Sequence, residues 1–248
     1  MCWGSQVKQY VAFSGGKDST ALLLRLVEQG EECEAIFTPT GNELPAVLSH
    51  IEETSKAAGV EVHVPAGPSL MELIEGYGAL PNWRQRWCTR QIKIEPCIEF
   101  LRSRPGSVLC VGLRADEEER QGLYGDWAEY RYPLREWGWG LPEVWGYLRD
   151  RGVSVPKRTD CALCYGQRLS EWFDLWRSHP EKYAEGVTLE DMTGHTFRSP
   201  GRDTWPAGLR ELREKFESGE LPRGVERQGN LFAEDCDKPE TACRVCSF

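Results

Sequence analysis

Two patterns in this 248-residue sequence carry groups able to do chemistry. The first is Ser14-Gly15-Gly16-Lys17-Asp18-Ser19-Thr20. Its glycines let the main chain come close to a ligand, its three hydroxyl side chains are donors, and Lys17 adds positive charge. Ahead of a helix, whose first N–H groups are unpaired and whose dipole presents a positive end, such a segment makes a cradle for pyrophosphate. The spacing is not the G-x-x-x-x-G-K-[ST] of a Walker loop. Asp18 implies Mg²⁺ with the ligand, because a carboxylate beside polyphosphate is repelled unless a divalent ion bridges them. The alternative is an ordinary glycine turn capped by serine and aspartate.

The second pattern is a pair of C-x-x-C segments, Cys161-Ala162-Leu163-Cys164 and Cys243-Arg244-Val245-Cys246. Two thiolates at that spacing reach one metal, and two such pairs satisfy a tetrahedral Zn²⁺ or four corners of an iron–sulfur cube. Spacing alone leaves both open. The chain has ten cysteines, many for a reducing compartment, where structural disulfides are rare and metal or redox chemistry is the commoner use. Cys33 and Cys110 lie in apolar runs and read as small hydrophobes. Cys97 and Cys236 carry no assigned role.

The elements that must position these groups follow from hydrophobic periodicity. Strands are predicted at Tyr10 to Phe13, Cys33 to Phe37, Glu61 to Val64 and Val108 to Gly112. Helices are predicted at Thr20 to Gln29, Pro45 to Ala58, Leu70 to Tyr77 and Thr89 to Arg102, with Pro45 favoured at a first helical turn. Strands alternating with helices make an α/β fold with a doubly wound, mostly parallel sheet. Beyond Arg114 the pattern weakens; helices are predicted again at Leu169 to Trp176 and Trp205 to Phe216, with a polar segment between. The expected division is a nucleotide-binding domain over 1–155 and a helical, cysteine-containing appendage or lid over 156–248.

Composition bounds the function. Thirty Lys and Arg stand against 39 Asp and Glu, a formal net charge of -9, so indiscriminate binding to a phosphate backbone is not expected, though a local basic patch is compatible with it. No apolar run approaches the ~20 residues needed to span a bilayer, and the N-terminus lacks the pattern of a signal peptide. A cytoplasmic protein without a membrane partner is expected.

The loop resembles the SGGKDS segment of the PP-loop ATP pyrophosphatases, the adenine nucleotide alpha hydrolases. Further segments resemble the phosphoadenosine phosphosulfate (PAPS) reductase-like branch: Thr38-Pro39-Thr40-Gly41, Arg86-Trp87-Cys88-Thr89 with Lys93 and Pro96, Gly112-Leu113-Arg114 with Glu117, Arg131-Tyr132-Pro133-Leu134 with Trp137 and Val144-Trp145, and the first C-x-x-C. The order holds over roughly residues 8 to 170. The branch includes adenylating enzymes of DNA phosphorothioation, which share the R-x-W-C-T segment.

This resemblance implies an adenine nucleotide, ATP or PAPS, bound with Mg²⁺ by Ser14 to Thr20, Thr40, Gly41, Arg86, Lys93, Gly112 and Arg114. Lys17 would stabilise leaving-group charge, Asp18 hold the metal ion and Arg114 clamp the nucleotide. It also implies a [4Fe-4S] cluster on Cys88, Cys161 and Cys164, whose fourth iron is either free or held by a tail cysteine, with Cys246 the candidate; zinc is the alternative. The expected function is adenylation of an acceptor for sulfur transfer onto a nucleotide or nucleic acid. The alternatives are reductive release of sulfite with Cys243 as tail nucleophile, or a non-catalytic subunit of a modification complex. Implied partners are a cysteine desulfurase or thioredoxin, a nucleic-acid substrate and a second copy of the chain. Three departures stand out: Pro39 replaces an aspartate, Cys88-Thr89 replaces a double cysteine, and the reductases' C-terminal E-C-G-x-H is absent.

Arg84, Arg86, Arg90 and Lys93 cluster around Cys88 and suit phosphate or sulfate oxygens or a solvated face. The tryptophans from Trp127 to Trp176, with Arg131 and Arg135, suit base stacking or packing. Glu117, Glu118 and Glu119 read as a solvated helix start. The histidines show no metal pattern; His50 and His63 read as surface or packing residues, and His179 as a helix end.

Overall fold

A computed structural model describes residues 8–117 and 129–225. Its centre is a five-stranded sheet in the order β3-β2-β1-β4-β5, with all neighbours parallel. The strands are β1 (Gln9–Ala12), β2 (Cys33–Ile36), β3 (Val62–His63), β4 (Val108–Cys110) and β5 (Glu129–Arg131). Side chains alternate across a strand, so Val11 and Phe13 enter one apolar cluster with Leu22, Leu26, Val47 and Leu148. Tyr10 enters the other, with Leu101, Leu109 and Val111. Both faces of the sheet are thereby buried, as parallel sheets require. The strand order reverses direction beside β1, which places the switch-point crevice between the exits of β1 and β4.

The helices of this half are α1 (Lys17–Glu28), α2 (Pro45–Ala58), α3 (Leu70–Tyr77) and α4 (Glu95–Arg102). Pro45 opens α2 and Gly59, at φ +67°, closes it; Ser69 and Glu72 form a capping box that starts α3. The single helix expected over Thr89 to Arg102 is instead a π-helical turn, Thr89–Ile94, running into α4. Pro96 supplies the reason: it has no N–H for the Ile92 carbonyl, and the wider turn absorbs the break.

The chain continues through α5 (Pro133–Glu136), α6 (Leu141–Asp150), α7 (Leu169–Ser178), α8 (Pro180–Thr193) and α9 (Leu209–Glu217). Two elements escape the hydrophobic pattern. β5 is short, charged and on the sheet edge, where a single neighbour suffices. α8 occupies the segment read as polar; its signals are Pro180 at the start and Gly194, at φ +66°, at the end.

The C-terminal helices are more than a covering. Trp172, Phe173, Tyr183, Leu209 and Phe216 make a buried cluster of their own, which takes in Leu70 and Ile74 of α3 and Ile92 of the π turn. Several tryptophans weighed for stacking are packing residues here: Trp137 lies against Trp139, Trp139 against Tyr147, and Trp172 is fully buried, whereas Trp145 is exposed. Trp127 lies outside the described residues. Arg131 bonds Gln9 and Glu31 across the sheet. Cys110 is buried and Cys33 half-buried, and burial pushes their thiols up to about 12 and about 11, respectively.

Candidate active site

The glycine-bearing loop leaves β1 and enters α1 at the crevice. Ser14 donates its N–H to Ser19 Oγ (3.3 Å), and Ser19 Oγ donates to the Gly16 carbonyl (3.1 Å). The loop therefore holds its own shape. Gly15 sits at φ +73°, and a Cβ there would lie 2.9 Å from Ile51 Cγ1. Gly112, just past β4, abuts the loop so closely that a Cβ would lie 3.2 Å from Ser19 N. Thr20, expected to face the ligand, is fully buried; its hydroxyl meets His50 Nε2 at 3.1 Å and ties α1 to α2.

Two clefts meet here. The first, about 530 Å³, opens at the exits of β1 and β2 and is lined by Ser14, Thr38, Glu43, Lys93 and Thr159 among others. The second, about 390 Å³, is lined by Cys88, Cys161, Cys164, Tyr165, Thr40 and Lys93. Lys93 and Cys161 belong to both, so the phosphate side and the thiol side share a wall. Lys93 comes from the π-helical turn, a device that often marks functional sites.

Asp18 and Arg114 sit deeper than a ligand clamp requires. Arg114 donates from Nη1 to both Asp18 oxygens (3.2 and 3.1 Å) and from Nε to Asp116 Oδ1 (2.8 Å), with Glu117 Oε1 3.6 Å from its Nη2. Its side chain is 5% exposed. Asp18 also faces Lys17 Nζ at 3.3 Å. Two cations on one carboxylate cancel the repulsion that Asp18 alone would exert on phosphate. Glu117, read as solvated, belongs to this buried group; Glu118 and Glu119 lie outside the described residues.

The cysteines come from two segments. Cys88 and Cys161 pack against Cys164 and Tyr165. Gly166 donates its N–H to Cys164 Sγ (3.4 Å), and Arg158 donates to the Cys161 carbonyl (3.2 Å). Burial raises the Cys88 thiol pKa; a hydrogen bond with Cys161, then burial, raises that of Cys164. Such thiols stay neutral until a cation displaces the proton. Cys236, Cys243 and Cys246 lie outside the described residues.

Among the described residues, the only three His, Cys, Asp or Glu ligand atoms mutually within 4.8 Å belong to Glu34, Glu61 and His63. That trio is an ion-pair group, since Glu34 holds His63 with one oxygen and Lys8 with the other, both at 2.6 Å. At least one pair of the three thiols therefore stands more than 4.8 Å apart, while Cys161 and Cys164 are in hydrogen-bond contact.

Around these groups, Thr40 gives its N–H and hydroxyl to Glu43 (2.7 and 2.6 Å), and Gly41, at φ +74°, turns the chain beside Ser69. The next residue ties the clefts together, because the Asn42 carbonyl accepts the Ala162 N–H at 2.6 Å. Arg86 lies beside Tyr165, whereas Arg84 and Arg90 are exposed, the latter paired with Glu95. Thr159, Arg158 and Tyr165 had no assigned role from sequence; their proximity to the C-x-x-C was the available signal.

Comparison with known proteins agrees with this frame. The phosphoadenosine phosphosulfate reductase domain family matches residues 8–160, more than half of the chain. Two uncharacterized Methanocaldococcus jannaschii proteins are 26% and 24% identical over 226 and 241 residues, covering 85% and 89% of this chain. The chain spans about half the length of these relatives, 43% and 58%. Among solved structures, the U34-tRNA thiolase NcsA from Methanococcus maripaludis with its [4Fe-4S] cluster aligns at TM-score 0.50 and 18% identity. That alignment covers 98% of this chain and 81% of NcsA, a likeness of fold. A PAPS reductase from Candida auris aligns at TM-score 0.48 and 16% identity over 59% of this chain and 74% of its own. Among the described residues no helix is long and apolar enough to cross a membrane.

Proposed function

Because this chain belongs to the phosphoadenosine phosphosulfate reductase domain family, we propose that it is a PP-loop ATP pyrophosphatase that adenylates an acceptor for sulfur transfer. The observation that carries the reading is the wall common to the two clefts, Lys93 and Cys161, which sets a phosphate cradle beside a thiol group.

In this reaction an acceptor oxygen attacks the α-phosphorus of ATP, the bond to the bridging oxygen breaks, and pyrophosphate leaves; sulfur then displaces AMP. Lys17 and the α1 N-terminus stabilise the charge growing on pyrophosphate. Ser14 holds the phosphoryl chain, and Lys93 meets the α-phosphoryl oxygens on the acceptor side. Asp18, held by Arg114, steadies the loop and Lys17, and offers a carboxylate to Mg²⁺ when ATP brings it.

Cys88, Cys161 and Cys164 would hold three corners of a [4Fe-4S] cluster, which when bound supplies the point at which sulfur is delivered. The Arg158 guanidinium beside Cys161 and Cys164 suits thiolates on either metal centre, and the [4Fe-4S] cluster of the like-folded NcsA supports the cluster over zinc. Anaerobically purified protein is expected to hold about four irons with a broad absorption near ~400 nm, and Cys161→Ser with Cys164→Ser to lose both. One zinc per chain and no iron would overturn the assignment.

The adenylation test is incubation with ATP, Mg²⁺ and candidate acceptors, reading AMP and pyrophosphate as products. ADP with phosphate would sink it. The family match also supports a second reading, sulfite release from PAPS with a thioredoxin reductant and Cys243 or Cys246 as the attacking thiolate. Sulfite formation that vanishes in the Cys243→Ser, Cys246→Ser double variant would select that reading.

A further inference from the structure

Among the described residues, exposed rings occur both in the tryptophan-rich stretch, at Trp145 (40%) and Tyr130 (41%), and beside the thiol-lined cleft. The latter include Trp83 at 43% and Tyr77 at 52%. Trp83 meets Tyr165, a lining residue of that cleft, edge to face at 5.2 Å. Tyr77 lies on Trp87, the neighbour of Cys88, with centroids 5.1 Å apart and planes 33° from parallel. These rings are held in place. Asn82 Oδ1 accepts the N–H groups of Arg84 (2.9 Å) and Gln85 (3.0 Å), which fixes the turn bearing Trp83. Gln91 Nε2 donates to the Tyr77 hydroxyl at 2.6 Å.

The chain segment that carries them is rich in positive charge, although Asp160 lines the adjoining cleft. Residues 76–94 hold Arg84, Arg86, Arg90 and Lys93 and no carboxylate, in a chain whose net charge is -9. Arg90 pairs with Glu95, but Arg84 pairs with no carboxylate among the described residues. A protein partner docking through apolar rings has no need of that bias; a polyanion does. Exposed aromatic faces with interleaved arginines are the equipment for stacking successive unpaired bases while the phosphates are neutralised. A duplex hides its base faces and offers such rings nothing.

We infer that the Tyr77, Trp83 and Arg84 rim binds an unpaired stretch of nucleic acid and leads a nucleotide of it to the thiol-lined cleft. Its role as acceptor rests on the adenylation reading above; the binding does not.

The test uses the full chain and fluorescein-labelled twelve-nucleotide RNA and DNA strands without secondary structure, with a hairpin duplex as control, followed by anisotropy at fixed salt. Both single strands are expected to bind more tightly than the hairpin, and the tighter of the two names the chemistry of the natural ligand. Trp83→Ala is expected to weaken single-strand binding about tenfold, with Trp83→Phe restoring most of it and ATP affinity unmoved. Unchanged affinity in the alanine variant, equal binding of the hairpin, or no binding at all would overturn the inference; recovery of a protein on this rim in place of the strands would do the same. AMP release is read separately. Its absence with every acceptor, while Trp83-dependent strand binding persists, defeats the adenylation reading and leaves this one standing.

Discussion

Replacement of Lys17 by Met is expected to slow AMP and pyrophosphate release about 10²–10³-fold, the usual cost of removing one preorganised donor to developing charge. The side chain is 13% exposed, at the start of α1, and its ammonium already stands 3.3 Å from Asp18. It is therefore placed before the ligand arrives. Folding should barely register the change, because Asp18 keeps two hydrogen bonds from Arg114. The expected pattern is a large fall in rate with a melting temperature shifted by only a few degrees. Arg should rescue poorly, since its planar fork does not fill the place of a compact ammonium. A rate within threefold of the parent would remove Lys17 from the chemistry.

Arg114→Met is expected to act first on stability. The guanidinium is almost wholly buried and answers Asp18, Asp116 and Glu117. Deleting one partner of such a group strands the others' charge, at a cost of about 3–5 kcal/mol. For a chain of this size that corresponds to a fall in melting temperature of roughly 6–20 °C. The loss should depend on pH. Burial pulls the Asp116 carboxyl upward, but the Leu141 N–H and Arg114 outweigh it and hold its pKa below the ordinary value of 3.8. A carboxylate lowered in the folded state adds stability above its unfolded pKa and loses it as pH falls through the folded one. The gap between parent and variant is therefore expected to be full at pH 7 and to narrow as the solution is taken below pH 4. A gap that stays constant down to pH 3, or no change in melting temperature at pH 7, would show that Arg114 is not the counter-ion described.

What the sequence disclosed divides along lines of range. Pro45, Gly59 and the Ser69 to Glu72 box are local signals, and α2 and α3 begin and end where the sequence reading placed them. The phosphate loop was legible because strand, glycines and helix follow one another within a dozen residues. The partner of Asp18 was not, since Arg114 lies 96 positions away and meets it only once β1 and β4 lie side by side. The same holds for Cys88: the spacing of Cys161 and Cys164 announced a pair, but the third thiol came from resemblance and its proximity from the fold. Thr20 shows the reverse error. As a hydroxyl in the loop it read as a ligand contact, yet helical geometry turns it inward to His50. The local charge bias around Cys88 was visible, whereas which rings face water depended on packing that no window of sequence reports.

The 2.6 Å tie between residues 42 and 162 joins two main-chain groups. No side chain takes part, so descendants of this chain are free to change both residues and still inherit the spacing between the two loops. Proline at 162, having no N–H to give, is the substitution that severs the link outright. The distance between cradle and sulfur is thus written into the backbone, where drift in amino-acid identity scarcely reaches it.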